Sequence, residues 1–73
     1  MTNDINYKIL KENILYILNK EENAEKIINI LFFRIFMNNQ KKLKYLLNDT
    51  EIIKSISNIL GERFMDCLRK KYK

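Results

Sequence analysis

The side chains with the most chemical potential in this 73-residue chain are its cations, which fall in two short runs. One is Lys41-Lys42-x-Lys44; the other is Arg69-Lys70-Lys71-x-Lys73, with Arg63 two turns earlier. Closely spaced ammonium and guanidinium groups neutralise phosphates and release condensed counterions, which gives salt-dependent affinity for nucleic acid without base readout. Residues 1–36 hold five basic and five acidic side chains, while residues 37–73 hold nine against four, so the formal charge of +5 resides wholly in the second half. The competing account is a solvated face whose last cations complement the negative end of a helix.

Composition bears on how that charge is weighed. Twelve Ile, eleven Lys and ten Asn make up much of the chain, Val is absent, and Ala24 is the single alanine. Ile, Lys and Asn have A/T-rich codons, so an AT-rich genome raises lysine everywhere. Such a bias explains the number of lysines and not their segregation into one half.

Other reactive groups are sparse. With no His and one Cys, the chain lacks the usual parts of a zinc site, a catalytic triad or a thiol–imidazole pair. Cys67 lies close in sequence to Arg63, Arg69 and Lys70, cations that favour a reactive thiolate. Its apolar phase instead makes it a small core residue. Glu62 and Asp66 are four apart, as metal-binding carboxylates on one helix face can be, but Lys70 follows Asp66 at the same spacing and offers an ion pair. Glu21-Glu22-x-x-Glu25 suits the positive end of a following helix. Tyr45, set among Lys41, Lys42 and Lys44, is placed to stack on a base. There is no glycine-rich phosphate loop, and the expectation is a non-enzyme with no cofactor and no metal.

The elements that position these groups are helical. Polar clusters at residues 19–23, 38–40 and 48–50 supply the punctuation in a chain with no Pro and with Gly61 as its one glycine. They predict helices at about 4–19, 23–38, 40–48 and 50–72, an all-α single-domain bundle of three to four helices. In the first, Leu10, Ile14, Ile17 and Leu18 share a face with Ile9 beside them, Asp4 caps the start, and Lys8–Glu12 forms a four-residue pair.

The second is apolar nearly all round. Ala24, Ile27, Ile28, Leu31 and Ile35 make one stripe, Ile30, Phe33 and Met37 another, and Phe32 and Phe36 a third. A helix of that kind is central to the bundle or sits at a dimer interface, with Ile30, Phe32, Phe33, Phe36 and Met37 as partner-facing residues.

The third carries Leu43, Leu46 and Leu47 on one edge. In the fourth, Ile52, Ile56, Ile59, Leu60, Phe64, Cys67, Leu68 and Tyr72 keep one phase across Gly61, as a continuous helix would. The same stretch also carries part of a helix-turn-helix spacing, with Ile56, Ser57, Leu60 and Gly61 in place and Glu62 and Lys70 departing from it.

The first residues show neither a basic n-region nor an apolar h-region, and Cys67 has no internal partner. The most apolar stretch, residues 27–37, includes Asn29 and Arg34 and falls short of the roughly 20 residues of a membrane span. A cytoplasmic protein with no membrane partner is therefore expected, in the host-cell interior if it is phage or virus encoded. Two functions follow. One is a nucleic-acid-binding regulator of DNA or RNA, expected as a homodimer, using Lys41, Lys42, Lys44, Arg63, Arg69, Lys70, Lys71 and Lys73. The other is a protein-interaction module, such as a phage or mobile-element inhibitor (anti-CRISPR-like) that blocks a host protein complex.

Overall fold

A computed structural model of the chain describes residues 2–72, with side chains from residue 6 onward. It is a small all-α domain with no strand among the described residues. Helix α1 spans Thr2–Lys20. It begins before the expected start, so Asp4 lies within the helix and not at its cap; helix ends are where local signals discriminate least. After a short break, Asn23 opens α2, Ala24–Ile30, its Oδ1 accepting a hydrogen bond from the Lys26 N–H at 3.1 Å.

The rod then changes pitch without stopping. Leu31–Phe36 winds as a π-helix, closed by the Met37 N–H donating to the Phe32 carbonyl five residues back. Regular winding carries a residue five positions on by about 140° from its starting direction. The wider turn reduces that displacement. The row Ile27, Leu31, Ile35 and Phe36 is accordingly buried, Phe36 to 2 % exposure. A 3₁₀ stretch, Met37–Lys42, follows and is interrupted at Asn39, where φ is −134° and ψ is 37°. A short α3, Leu43–Leu46, completes the segment with Leu43, Leu46 and Leu47 all buried, as their spacing predicts.

Asparagine side chains end these helices. Asn38, Asn39 and Asn48 each donate from Nδ2 to the carbonyl four residues earlier (Arg34, Ile35 and Lys44) at 2.7, 2.8 and 2.6 Å. Each amide thus supplies a side-chain donor to the carbonyl that, in a regular α-helix, its own backbone N–H would bond.

Asp49 then caps α4, Thr50–Leu60, its Oδ1 accepting from the Glu51 N–H at 3.0 Å. Gly61 separates α4 from α5, Glu62–Lys71. This corrects the expectation of one helix over 50–72. Gly61 has φ +99° and ψ 152°, a backbone that only glycine adopts readily, and α4 stops there. The joint is a single residue, shorter than the three- or four-residue turn of a helix-turn-helix.

The break also resets the apolar register. Met65 and Leu68 are the buried residues of α5, while Cys67 is exposed and is not the core residue its phase implied. Helix α1 packs on α4 through Ile14 and Leu18, and α4 packs on α5. Edge-to-face aromatic contacts lock α5 to the π-helical segment: Phe32 with Phe64 at 6.2 Å, and Phe36 with Tyr72 at 5.9 Å.

Candidate functional site

The fold gathers part of the basic half into one place. The α3 helix and the C-terminal end of α5 enclose an open cleft of about 490 Å³. Lys44 comes from the first cationic run and Arg69 and Lys70 from the second, and all three line it. Leu47 provides an apolar patch, Tyr72 an aromatic wall, Asn48 an amide and Asp66 a single carboxylate. The cations outnumber the carboxylate three to one, so the lining of the cleft carries a net positive charge.

The remaining expected cations are distributed differently. Lys41 is exposed and Lys42 half-buried on the 3₁₀ stretch; Arg63 is exposed on the first turn of α5, outside the cleft lining. Lys71 lies outside the lining with its Nζ 5.6 Å from the Phe32 centroid and 5.7 Å from that of Tyr72, and the cleft-lining Lys44 likewise lies over a ring, its Nζ 5.2 Å from the Tyr45 centroid. Lys73 lies outside the described residues.

The expected partner face splits in two. Phe36 is buried in the chain's own core and Phe32 is half-buried in the aromatic cluster, so neither is free to meet a partner; the π-helical turn swings Phe36 inward. Phe33 at 68 % and Met37 at 61 % exposure do face solvent, and Ile30 is half-buried beside them. Among the described residues neither Lys8–Glu12 nor Asp66–Lys70 closes to an ion pair.

A polar cluster not foreseen from the sequence fixes one wall of the cleft. The Tyr7 hydroxyl of α1 donates to Asp49 Oδ2 at 2.9 Å. Lys11 bridges Asp49 Oδ2 and Glu51 Oε1, each at 3.1 Å. The loop from α3 to α4 carries Leu47 and Asn48 into the cleft lining and ends at this cap, so α1 holds the loop through Asp49.

The cluster perturbs its own groups. Burial, reinforced by the hydrogen bond to Asp49, pushes the Tyr7 phenol up to about 12. For Asp49, burial acts to raise the pKa, but hydrogen bonds from Tyr7, Lys11 and the Ile52 N–H together outweigh it and hold the carboxyl below its ordinary range. Hydrogen bonds to Asp49 and then Glu51 raise the Lys11 ammonium above its usual value. Asp49 belongs to the polar cluster 48–50 that marks a helix boundary in the sequence, but nothing in one dimension marks Tyr7 as its partner.

Among the described residues no group of three or more His, Cys, Asp or Glu side chains is placed to hold a metal ion, and no helix is long and apolar enough to cross a membrane. Comparison with known protein families, curated proteins and solved structures gives no match. The reading of the site therefore rests on its own geometry and charge.

Proposed function

We propose that the chain is a small non-enzymatic nucleic-acid-binding protein that grips the phosphate backbone through the cleft between α3 and α5. One observation carries this reading: cations from two runs that are 25 residues apart, Lys44 and Arg69, line one concavity together with Lys70. A merely solvated charged surface has no need of such convergence. Arg–phosphate and Lys–phosphate contacts here supply affinity and register without base specificity.

The test is a binding titration of labelled oligonucleotides by fluorescence anisotropy across a salt series. Affinity is expected to fall about 20- to 40-fold between about 50 and 200 mM salt if three phosphates are neutralised. A flat salt response, or no binding at the low end, refutes the reading.

A second reading, a protein-interaction module of the inhibitor type, is favoured by a separate observation. Phe33 and Met37 hold large apolar side chains in water at adjacent turns of the same rod, with Arg34 exposed between them. A second copy of the chain covering that face would make the homodimer expected for the regulator, and the mass in solution distinguishes it from a monomer.

A further inference from the structure

We infer that the cleft takes an unpaired, single-stranded segment of nucleic acid and not a duplex, an inference that rests on the nucleic-acid reading of the same site. Three features of the cleft and its rim point this way. The first is size. A cleft of about 490 Å³ in a domain measuring 34 × 25 × 21 Å has room for a nucleotide or two, while a duplex is read by elements that protrude into its grooves and not by a concavity.

The second is aromatic. Tyr45, the residue after the cleft-lining Lys44, lies just outside the lining, is 60 % exposed, and has the Lys44 Nζ 5.2 Å from its ring centroid. A phenol ring in water beside a phosphate-binding cation is the pairing that single-strand binders use, because an unpaired base offers a face to stack while a paired base is already stacked on its neighbours. The lining itself contains a second aromatic, Tyr72, whose ring packs edge-to-face on Phe36 at 5.9 Å.

The third is Asp66. A carboxylate among three cations opposes a binder of phosphate alone. An unpaired base, however, presents amino groups on its Watson–Crick edge, and a carboxylate accepts hydrogen bonds from them. The division of labour is then Lys44, Arg69 and Lys70 on the backbone, Tyr45 on a base face, and Asp66 on a base edge.

The experiment compares the full chain binding a labelled mixed-sequence oligonucleotide as a single strand and as a blunt duplex of equal length, at low salt, by anisotropy. The single strand is expected to bind about tenfold or more tightly than the duplex. Tyr45→Ala is expected to weaken single-strand binding by about tenfold, to leave duplex binding within about twofold, and to be rescued by Tyr45→Phe, which keeps the ring. Because Tyr45 is exposed, unchanged circular dichroism checks that the variant remains folded.

Equal or tighter duplex binding, or a silent Tyr45→Ala, overturns the inference while leaving the phosphate-binding cleft standing. Loss of both forms in Lys44→Glu with a silent Tyr45→Ala likewise overturns single-strand preference and keeps the cleft as a phosphate site. Absence of binding to either form at low salt overturns the inference and the proposed function together.

Discussion

Tyr7 and Asp49, forty-two positions apart, are joined by a 2.9 Å hydrogen bond from the phenol to the carboxylate that caps α4. The bond links the first helix to the loop that supplies one wall of the cleft, so the stability of the fold and the shape of the cleft share a fastening point. Tyr7→Phe is expected to lower unfolding free energy by about 1 kcal/mol, and Asp49→Ala by about 2 kcal/mol because the cap is lost as well. Lys11→Ala, whose partners stay partly solvated, is expected to cost under about 1 kcal/mol. Urea unfolding followed by circular dichroism measures all three; equal losses would mean that the cap contributes nothing beyond the phenol bond.

The same pair sets the pH limits of the fold. Asp49 has a folded pKa below its ordinary 3.8, so its contribution is present above that value and is lost as pH falls further. Tyr7 rises from 10.0 to about 12, so its contribution is full below pH 10 and is lost between the two values. Urea midpoints for the native chain are expected to fall at both extremes. In Tyr7→Phe the alkaline decline between those two values should shrink, and in Asp49→Ala the acid decline should.

At the joint between α4 and α5, Gly61 needs its positive φ and not its smallness, since nothing lies within 4 Å of a built Cβ. Gly61→Ala is therefore expected to destabilise by about 1–3 kcal/mol through backbone strain alone. The register reset at the same joint leaves Cys67 outside. Its thiol is expected to react with a colourimetric disulfide reagent in the native state about as fast as in urea, and slow, unfolding-limited labelling would contradict the break.

Neighbouring phenylalanines should behave oppositely. Phe36→Ala is expected to cost about 3–5 kcal/mol, whereas Phe33→Ala should stay within about 0.5 kcal/mol. If a second copy covers the exposed face, Phe33→Asp lowers the solution mass from dimer to monomer without unfolding the chain. An unchanged monomeric mass in both proteins rejects that dimer.

For the cleft, the number of cations sets a slope. Three neutralised phosphates give a logarithmic dependence of affinity on salt of about −2 for a single strand and about −2.7 for a duplex. Lys44→Gln, Arg69→Gln and Lys70→Gln are each expected to reduce that slope by just under one and to weaken binding similarly for all sequences. Arg63→Gln, outside the lining, should leave it unchanged. A slope several units steeper would mean that the whole basic half, and not this cleft, holds the ligand.

Local patterns made much of this fold readable. Leu43, Leu46 and Leu47 fall on one helical edge and are buried together, Asn23 and Asp49 cap helices in their polar clusters, and the cluster at 38–40 marks a kink at Asn39. Cys67 misled because apolar phase was carried through Gly61, and a single positive φ rotates everything beyond it. A regular helical wheel offers Phe32, Phe33 and Phe36 alike as partner-facing residues, and that wheel is the wrong one for residues 31–36. The cationic runs were visible in sequence, but their meeting depends on α5 folding back to α3, a tertiary event to which residue spacing is blind.

The π-helical turn amounts to one surplus residue held inside a continuous rod. Deleting one position between Leu31 and Phe36, Arg34 being the exposed choice, would let ordinary winding resume, leaving Phe36 four positions after Leu31. Such a shortened chain would keep its apolar row through Phe36 but draw everything beyond it back by a step along the rod. The extra residue thus sets how far along the rod the chain beyond Phe36 begins.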